Sequence, residues 1–137
     1  VYGPTPLYRP DIVPSLIWSI LENGEATVWN KKPKRDFIFV EDAVNAVTKL
    51  LESDFSGSVN LGSGVSSSVS ELCNILEKLS GIHIDNQNID VSGHMEFCQD
   101  ISLLKSIIDW NPKFNLQAGL EKTYQEMTVF FEQRSQL

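Results

Sequence analysis

The amino-acid sequence predicts an α/β fold of about five helices and a few short strands. Five segments carry apolar residues at spacings of three and four, which is the helical period. Three short segments are rich in β-branched and aromatic residues, and glycine, proline, serine and asparagine separate the segments. With 137 residues, 42% of them apolar and 21% charged, the chain has the composition of one globular domain with a modest core.

The first predicted helix spans Asp11 to Asn23 and is ended by Gly24. Two β-prone runs follow, Ala26 to Trp29 and Asp36 to Val40, with the basic turn NKKPK between them. Helical spacing returns from Ala43 to Leu51. These patterns place the most basic part of the chain between two short strands.

The second helix has Glu41 and Asp42 in its first turn, where acidic residues suit the helix dipole. A short strand is predicted from Ser58 to Leu61, between two glycine turns. Ser68 followed by Glu71 is a capping box, which predicts the start of a third helix.

The third helix has a buried stripe that includes Cys73 and is ended by Gly81. After it the pattern is weakest, and Ile89 and Val91 mark one candidate strand. Asp100 is predicted to cap a short fourth helix, and a fifth begins at about Leu116 with Leu120, Tyr124, Met127 and Phe131 on one face.

The net charge of −7 opposes nucleic-acid binding, because a phosphate backbone is bound mainly by accumulated Lys and Arg. A single phosphate-bearing ligand is compatible with that charge. No apolar run approaches the roughly 20 residues of a membrane helix, and no signal-peptide pattern is present. We therefore expect a soluble, cytoplasmic protein with no nucleic-acid partner and no membrane span.

Residues with the usual patterns of catalytic or metal sites are missing from the sequence. It contains no supported Ser-His-Asp set, no histidine pair at helical spacing and no Walker loop. His83 and His94 are expected to be solvated loop residues rather than metal ligands. Cys73 and Cys98 are far apart, so a buried Cys73 thiol is favoured over a disulfide, and no metal is expected.

The run NLGSGVSSSV places Gly62 and Gly64 before a helix, an arrangement that can bind a phosphate. It supplies only two of the three glycines of a dinucleotide fingerprint, and no acidic residue follows on a strand about 20 residues later. We interpret this run as a turn and a helix cap.

Arg35 is the strongest binding candidate that the residues alone suggest. It follows the basic turn and precedes a strand, so its planar guanidinium can reach an oxyanion from a fixed backbone. The alternative, which spacing alone favours, is a salt bridge to Asp36, Glu41 or another carboxylate. Trp29 presents a similar choice, either filling the core or offering its ring face to a planar ligand.

Six motifs occur in order along nearly the whole chain: VYGP at Val1, DIVPSLI at Asp11, RDFIFVEDAVNAV at Arg35, VNLGSGVSSSVSEL at Val59, DISLLKSIIDWNP at Asp100 and LQAGLEKTY at Leu116. In this order they resemble the carboxy-terminal lobe of the extended short-chain dehydrogenases, the NAD-dependent epimerase/dehydratase family acting on nucleotide sugars. Several motifs in the right order are far more specific than any one of them.

The resemblance implies a two-lobed enzyme. Its amino-terminal Rossmann lobe would bind NAD or NADP and carry a Tyr-x-x-x-Lys pair, and its carboxy-terminal lobe would bind the nucleoside diphosphate of the sugar. This chain has no Gly-x-x-Gly-x-x-Gly and no Tyr-x-x-x-Lys. We therefore expect residues 1–137 to be the nucleotide-sugar-binding domain with the Rossmann lobe absent, no cofactor bound to this chain and no catalysis by it alone.

The resemblance also implies roles for particular residues. The site comprises Arg35 for the diphosphate, Thr27, Val28 and Trp29 for the nucleotide base, and Ile12, Val13 and Leu16 for the pocket wall. Tyr2 is a candidate for a position near the nicotinamide in the longer protein. Asn30, Lys31 and Lys32 replace a glycine-rich family loop, and Val91 and His94 stand where a second phosphate-binding arginine is common.

In the family, the strand at Val59 to Leu61 joins the Rossmann sheet and the helix from Ala43 to Leu51 packs on it. The present chain alone is therefore expected to expose apolar surface and a strand edge. A missing lobe, a homodimer or a swapped assembly would cover them. The competing interpretation is a stand-alone, non-catalytic module that uses this surface for a protein partner.

Overall fold

The computed structural model describes residues 1–90 and 92–134. Its helices are α1 (Ile12–Asn23), α2 (Val40–Leu51), α3 (Val69–Ser80), α4 (Ser102–Ile107) and α5 (Leu116–Arg134). Its strands are β1 (Ala26–Val28), β2 (Lys34–Asp36), β3 (Ser66–Ser68) and β4 (Ile84–Asn86). The predicted α/β fold of five helices and a few short strands is confirmed. Within the described ranges, no helix combines the length and apolar character needed to cross a membrane.

The strands form two small sheets. β1 pairs in parallel with β4, with Ala26 opposite Ile84. β2 pairs antiparallel with β3, with Arg35 opposite Ser67. Both sheets therefore hold the chain on either side of the basic turn that connects β1 to β2.

Two groups of buried apolar side chains make the core. The larger lies among α1, α3 and α5 and the β1–β4 sheet, and includes Leu16, Ile17, Trp18, Leu72, Cys73, Leu76, Leu120 and Met127. The smaller joins α2 to α4 and includes Ile38, Ala43, Ala46, Leu104, Ile108 and Trp110. The buried thiol predicted for Cys73 is confirmed, and burial raises its pKa to about 11.

The helix boundaries predicted from Gly24, Gly81 and Ser68 are accurate, whereas the cap predicted at Asp100 is wrong by one residue, because Ile101 occupies the N-cap position of α4. Gly24 and Gly81 end α1 and α3 in the left-handed conformation, with φ values of 69° and 73° that suit glycine. The capping box at the start of α3 is present, because the Ser68 hydroxyl accepts from the Glu71 N–H and the Glu71 carboxylate accepts from the Ser68 N–H. Asp100 accepts from the Ser102 N–H at the start of α4.

The strand predicted from Asp36 to Val40 is wrong in its bounds. β2 ends at Asp36, and α2 begins at Val40. Between them only Phe39 makes a β-bridge, with Tyr2. The apolar run is extended and buried, but a single bridging residue does not make a ladder.

The strand predicted from Ser58 to Leu61 is also wrong, since no described segment pairs with it. The partner of β2 is instead the all-serine β3, whose composition hid it from a search for β-branched residues. The candidate strand at Ile89 is wrong as well, because β4 lies earlier in the chain. Val91 lies outside the described residues.

α2 has one buried and one exposed apolar face. Ala43 and Ala46 are buried. Val44, Val47 and Leu51 form an exposed apolar stripe, with 59%, 46% and 82% of their surfaces accessible. The helix is therefore apolar on more of its circumference than the rest of this chain covers.

Asp42 does not remain at the surface of α2. It is only 2% exposed, and its two carboxylate oxygens accept from the N–H groups of Lys113 and Phe114, both at 2.9 Å. This acid therefore fixes the loop that leads into α5 rather than only complementing the helix dipole.

Candidate functional site

A cavity of about 540 Å³ lies between α1, the end of β1 and β2. Six of the seven predicted site residues line it, namely Ile12, Leu16, Thr27, Val28, Trp29 and Arg35. The seventh, Val13, does not line the cavity and is buried in the core. Residues distant in sequence therefore converge on one concave surface, whose volume is in the range of small-molecule sites.

Arg35 supplies the positive charge of this cavity. Its Nη1 donates to the carbonyl of Lys34 at 2.7 Å, which uses only one of the five guanidinium N–H groups. Within residues 1–90 and 92–134, no carboxylate lies within ion-pairing distance of Arg35. The salt bridge favoured by spacing is therefore not formed in this part of the chain.

Asp36 serves the fold instead of pairing with Arg35. Its Oδ1 accepts from the N–H and hydroxyl of Ser63 at 2.7 and 2.6 Å. Its Oδ2 accepts from the N–H groups of Gly64 and Gln99 at 3.0 and 3.2 Å. This carboxylate joins β2 to the glycine turn and to the segment before α4.

The glycine turn is shaped around that carboxylate. A Cβ at Gly62 would lie 2.5 Å from Asp36 Oδ2 and 2.6 Å from Gln99 Cβ, so a side chain cannot fit without displacement. The turn N–H groups that could bind a phosphate already bind an acid of the same chain. The residues of this turn therefore do not fit a dinucleotide.

Trp29 stands at the mouth of the cavity. It is 67% exposed, so the alternative that it fills the core is wrong. Its ring also borders a second recess with Ile89, Asp90 and Ser92. An exposed indole in the same cavity as a guanidinium that has no carboxylate partner among the described residues offers a stacking surface and a positive charge to one ligand.

Sequence reasoning missed several lining residues. Tyr8, Pro10, Ser15, Asn30, Pro33, Phe37 and Val69 also line the cavity. Two of them could have been predicted from the regular spacing of side chains along a strand or a helix. Phe37 lies two residues after Arg35 along an extended segment, and Ser15 lies one turn after Ile12 on α1. Tyr8 and Pro10 lie in an irregular segment that carries no such signal.

A larger cavity of about 660 Å³ lies on the far side of Phe37, between α3 and residues 112–117. Lys78, Lys113 and Glu71 border it, so its charges are mixed. None of the seven predicted residues lines it. We assign the candidate site to the smaller cavity, because there an unpaired guanidinium and an exposed aromatic ring occur together.

Tyr2 is a core residue of this chain rather than a lining residue of the candidate cavity. It is buried against Phe37 and Phe39, and its hydroxyl donates to the carbonyl of Leu116 at 3.3 Å. Burial, with a smaller contribution from the charge of Asp42, raises the pKa of its hydroxyl. The hydroxyl therefore stays protonated at neutral pH.

The fold matches part of the enzymes of the extended short-chain dehydrogenase class. The sequence pattern of the NAD dependent epimerase/dehydratase family matches residues 1–62. A relative 31% identical over 137 residues is GDP-L-fucose synthase 1 of Arabidopsis thaliana, with 90% of this chain and 42% of the relative covered. The chain belongs to the NAD dependent epimerase/dehydratase family.

Solved structures show the same relationship. An NAD-dependent NDP-hexosamine 5,6-dehydratase of tunicamycin biosynthesis is 26% identical, with a TM-score of 0.82 over 93% of this chain and 43% of that one. The UDP-glucuronic acid 4-epimerase of Bacillus cereus, in complex with UDP-glucuronic acid and NAD, is 27% identical, with a TM-score of 0.81 over 93% and 42%. The chain thus spans less than half the length of these relatives and matches their carboxy-terminal part.

Proposed function

We propose that this chain is the substrate-binding lobe of a nucleotide-sugar epimerase, dehydratase or reductase, and that it binds the nucleoside diphosphate. The observation that carries the proposal is Arg35, a guanidinium without a carboxylate partner in the described chain, lining the same cavity as the exposed ring of Trp29. A guanidinium binds phosphate oxygens through two parallel hydrogen bonds. An indole stacks on a planar base.

The remaining lining residues complete the proposed site. Ile12, Leu16 and Val28 supply apolar wall, and Thr27 supplies a hydroxyl that accepts from Gln87 Nε2 at 3.4 Å. The diphosphate lies at Arg35 and the base against Trp29 and β1. Val13 supports this wall from the core side of α1, where it does not reach a ligand.

NAD or NADP belongs, in this proposal, to a Rossmann lobe outside residues 1–137. The glycine turn of this chain is bound by Asp36, which argues against a dinucleotide site here. When bound, the cofactor supplies hydride transfer at the sugar. The residues of this chain hold the nucleotide end of the substrate, so the sugar is directed toward the other lobe.

The exposed stripe of α2 supports a second lobe. Val44, Val47 and Leu51 face outward, and residues 58–61, which the resemblance assigns to a strand, have no partner strand within the described chain. A Rossmann lobe would cover the stripe and pair with that edge. We also assign the protein to the cytoplasm, in agreement with two free cysteines that form no disulfide.

A second candidate function is a stand-alone interaction module, for which the same stripe would bind a protein partner or a second copy of the chain. The length of the reading frame in the gene distinguishes the enzyme lobe from the stand-alone module. A reading frame that extends about 150 to 180 residues upstream and encodes a glycine fingerprint and Tyr-x-x-x-Lys supports the enzyme. A reading frame that starts near Val1 supports the module.

Calorimetric titration of the purified chain with UDP and with GDP tests nucleotide binding directly. We expect saturable binding of at least one of them and weaker binding of the matching monophosphate, which offers Arg35 fewer oxygens. Addition of NADH should leave its fluorescence unchanged. A chain that binds NADH saturably and ignores both diphosphates would refute the proposal.

A further inference from the structure

The loop 30–33 joins β1 to β2 and separates the two groups that define the site. Trp29 precedes it and Arg35 follows it, and both line the cavity. The distance between ring and guanidinium therefore depends on the path of this loop. One of the contacts that fix this path lies outside the cavity, between Lys31 and Glu77 of α3.

We propose that Glu77 is a positioning residue for nucleotide binding, acting through Lys31 on the loop 30–33. This inference rests on the proposed function of the cavity. Neither Glu77 nor Lys31 belongs to the residues that line the cavity. Their effect on a ligand is therefore indirect.

Glu77 holds two donors from different parts of the chain. Its Oε1 accepts from Lys31 Nζ at 3.2 Å and from the Ile84 N–H at 2.9 Å, and His83 Nδ1 lies 3.0 Å from the same oxygen. The side chains of Lys31 and Glu77 are only 18% and 23% exposed, so water screens this ion pair less than a surface pair. Glu77 thus ties the loop to α3 and, through Ile84, to β4, which pairs with β1.

The backbone of the same loop is held by the first turn of α3. The Ser70 N–H donates to the Lys31 carbonyl and the Val69 N–H donates to the Pro33 carbonyl, both at 2.9 Å. These are two of the N–H groups that a helix start leaves unpaired, and the loop satisfies them. The Lys31–Glu77 pair lies two turns further along α3 and adds a side-chain contact to these backbone bonds.

A matched ion pair elsewhere provides the control. Glu41 of α2 pairs with Lys122 of α5, also a Glu–Lys contact between separate segments, and neither residue lines the candidate cavity. Loss of the Glu41 charge should leave the loop 30–33 unchanged. Comparison of the two charge losses therefore distinguishes a general effect of removing one ion pair from a specific effect on the nucleotide site.

The decisive variant is Glu77→Gln, which keeps an acceptor for the Ile84 N–H but removes the charge that holds Lys31. We expect the affinity for UDP or GDP to fall about tenfold, which is a typical size for the coupling between residues that are in contact. We expect the Trp29 indole N–H signal in a two-dimensional NMR spectrum, without ligand, to shift. Glu41→Gln should change neither the affinity nor the indole signal. Lys31→Met should reproduce both effects of Glu77→Gln. Lys31→Arg, which keeps the positive charge, should retain most of the wild-type affinity.

The two readouts separate the two proposals. An indole signal that shifts in Glu77→Gln supports positioning of the loop even if the wild-type chain binds neither diphosphate, an outcome that would refute only the proposed function. An indole signal and an affinity that both match wild type would overturn the positioning role. So would an affinity loss equal to that of Glu41→Gln.

Discussion

Arg35 and Asp36 are adjacent on β2, and their charged groups serve different parts of the molecule. The Arg35 guanidinium lines the candidate cavity, whereas the Asp36 carboxylate binds the N–H groups of Ser63, Gly64 and Gln99. Because side chains alternate along a strand, one residue can serve a ligand while its neighbour serves the fold. Substitutions at these two positions should therefore have separable effects.

Arg35→Ala is expected to weaken nucleoside diphosphate binding by one to two orders of magnitude, since a charge-assisted bidentate contact contributes roughly 1.5 to 3 kcal/mol. Calorimetry gives the affinity, and urea unfolding checks that the fold is intact. Lys105→Ala, which removes one positive charge from α4, is the control and should bind normally. Equal affinities for both variants would exclude Arg35 from the site.

Asp36→Asn is expected to destabilise the fold by about 1 to 3 kcal/mol, because an amide can no longer accept from all the N–H and O–H groups that the carboxylate binds. Urea unfolding measures this loss. The exposed Asp54→Asn should stay within about 0.5 kcal/mol of wild type. If both variants unfold alike, the hydrogen bonds of Asp36 contribute little.

Trp29→Ala is expected to lower nucleotide affinity by about 1 to 3 kcal/mol while leaving stability nearly unchanged, because the ring is mostly exposed. Trp18→Ala provides the contrast, since Trp18 is buried in the core and its loss should cost about 3 to 5 kcal/mol of unfolding free energy. Calorimetry and urea unfolding are measured on both. Normal affinity in Trp29→Ala would remove the stacking role.

The acid stability of the chain should depend on Glu77. Burial acts to raise its pKa, but hydrogen bonds from Ile84 and Lys31 outweigh burial and hold the pKa below its ordinary value of 4.5. Stability from the ionised form is therefore present above about pH 4.5 and is lost as the pH falls through the lower, folded-state pKa. His83 and Cys73 also face this carboxylate.

This dependence is measured by unfolding the wild type and Glu77→Gln in urea between about pH 6 and pH 3. The wild type should lose more unfolding free energy over this range than the variant does. Glu41→Gln controls for the loss of one acidic residue. Parallel curves for wild type and Glu77→Gln would show that the carboxylate does not stabilise the fold through its charge.

The exposed stripe of α2 predicts self-association of the isolated chain. Val47→Lys combined with Leu51→Glu should lower the mass measured by light scattering after gel filtration, without loss of stability. Leu50→Glu is the matched control, because Leu50 packs against the smaller core cluster and its substitution should destabilise the fold. A monomeric wild-type chain would contradict this prediction.

The helices could be predicted from the sequence because their boundaries depend on local signals. Caps at Ser68, Gly24 and Gly81 fixed three helix boundaries. Six of the thirteen residues that line the cavity were predicted, Arg35 from the basic turn before it and the others from the resemblance of the motifs to a known family. Short strands were harder, since β3 is made of three serines and owes its conformation to pairing with β2 rather than to propensity.

Long-range roles of charged side chains were the least predictable. Asp42 was expected to complement a helix dipole, yet it binds the loop before α5. Glu77 has no sequence signal of its own, because its partners lie 46 residues upstream at Lys31 and seven residues downstream at Ile84. Contacts of this kind arise from the tertiary path of the chain, which periodicity does not encode.

Phe37 lines both the candidate cavity, which contains Arg35, and the larger cavity beside α3. Its ring lies between the two cavities and packs edge-on against Tyr2. A shorter side chain at this position would enlarge both cavities. The shape of the candidate cavity is thus coupled, through the ring of Phe37, to the occupancy of the larger cavity.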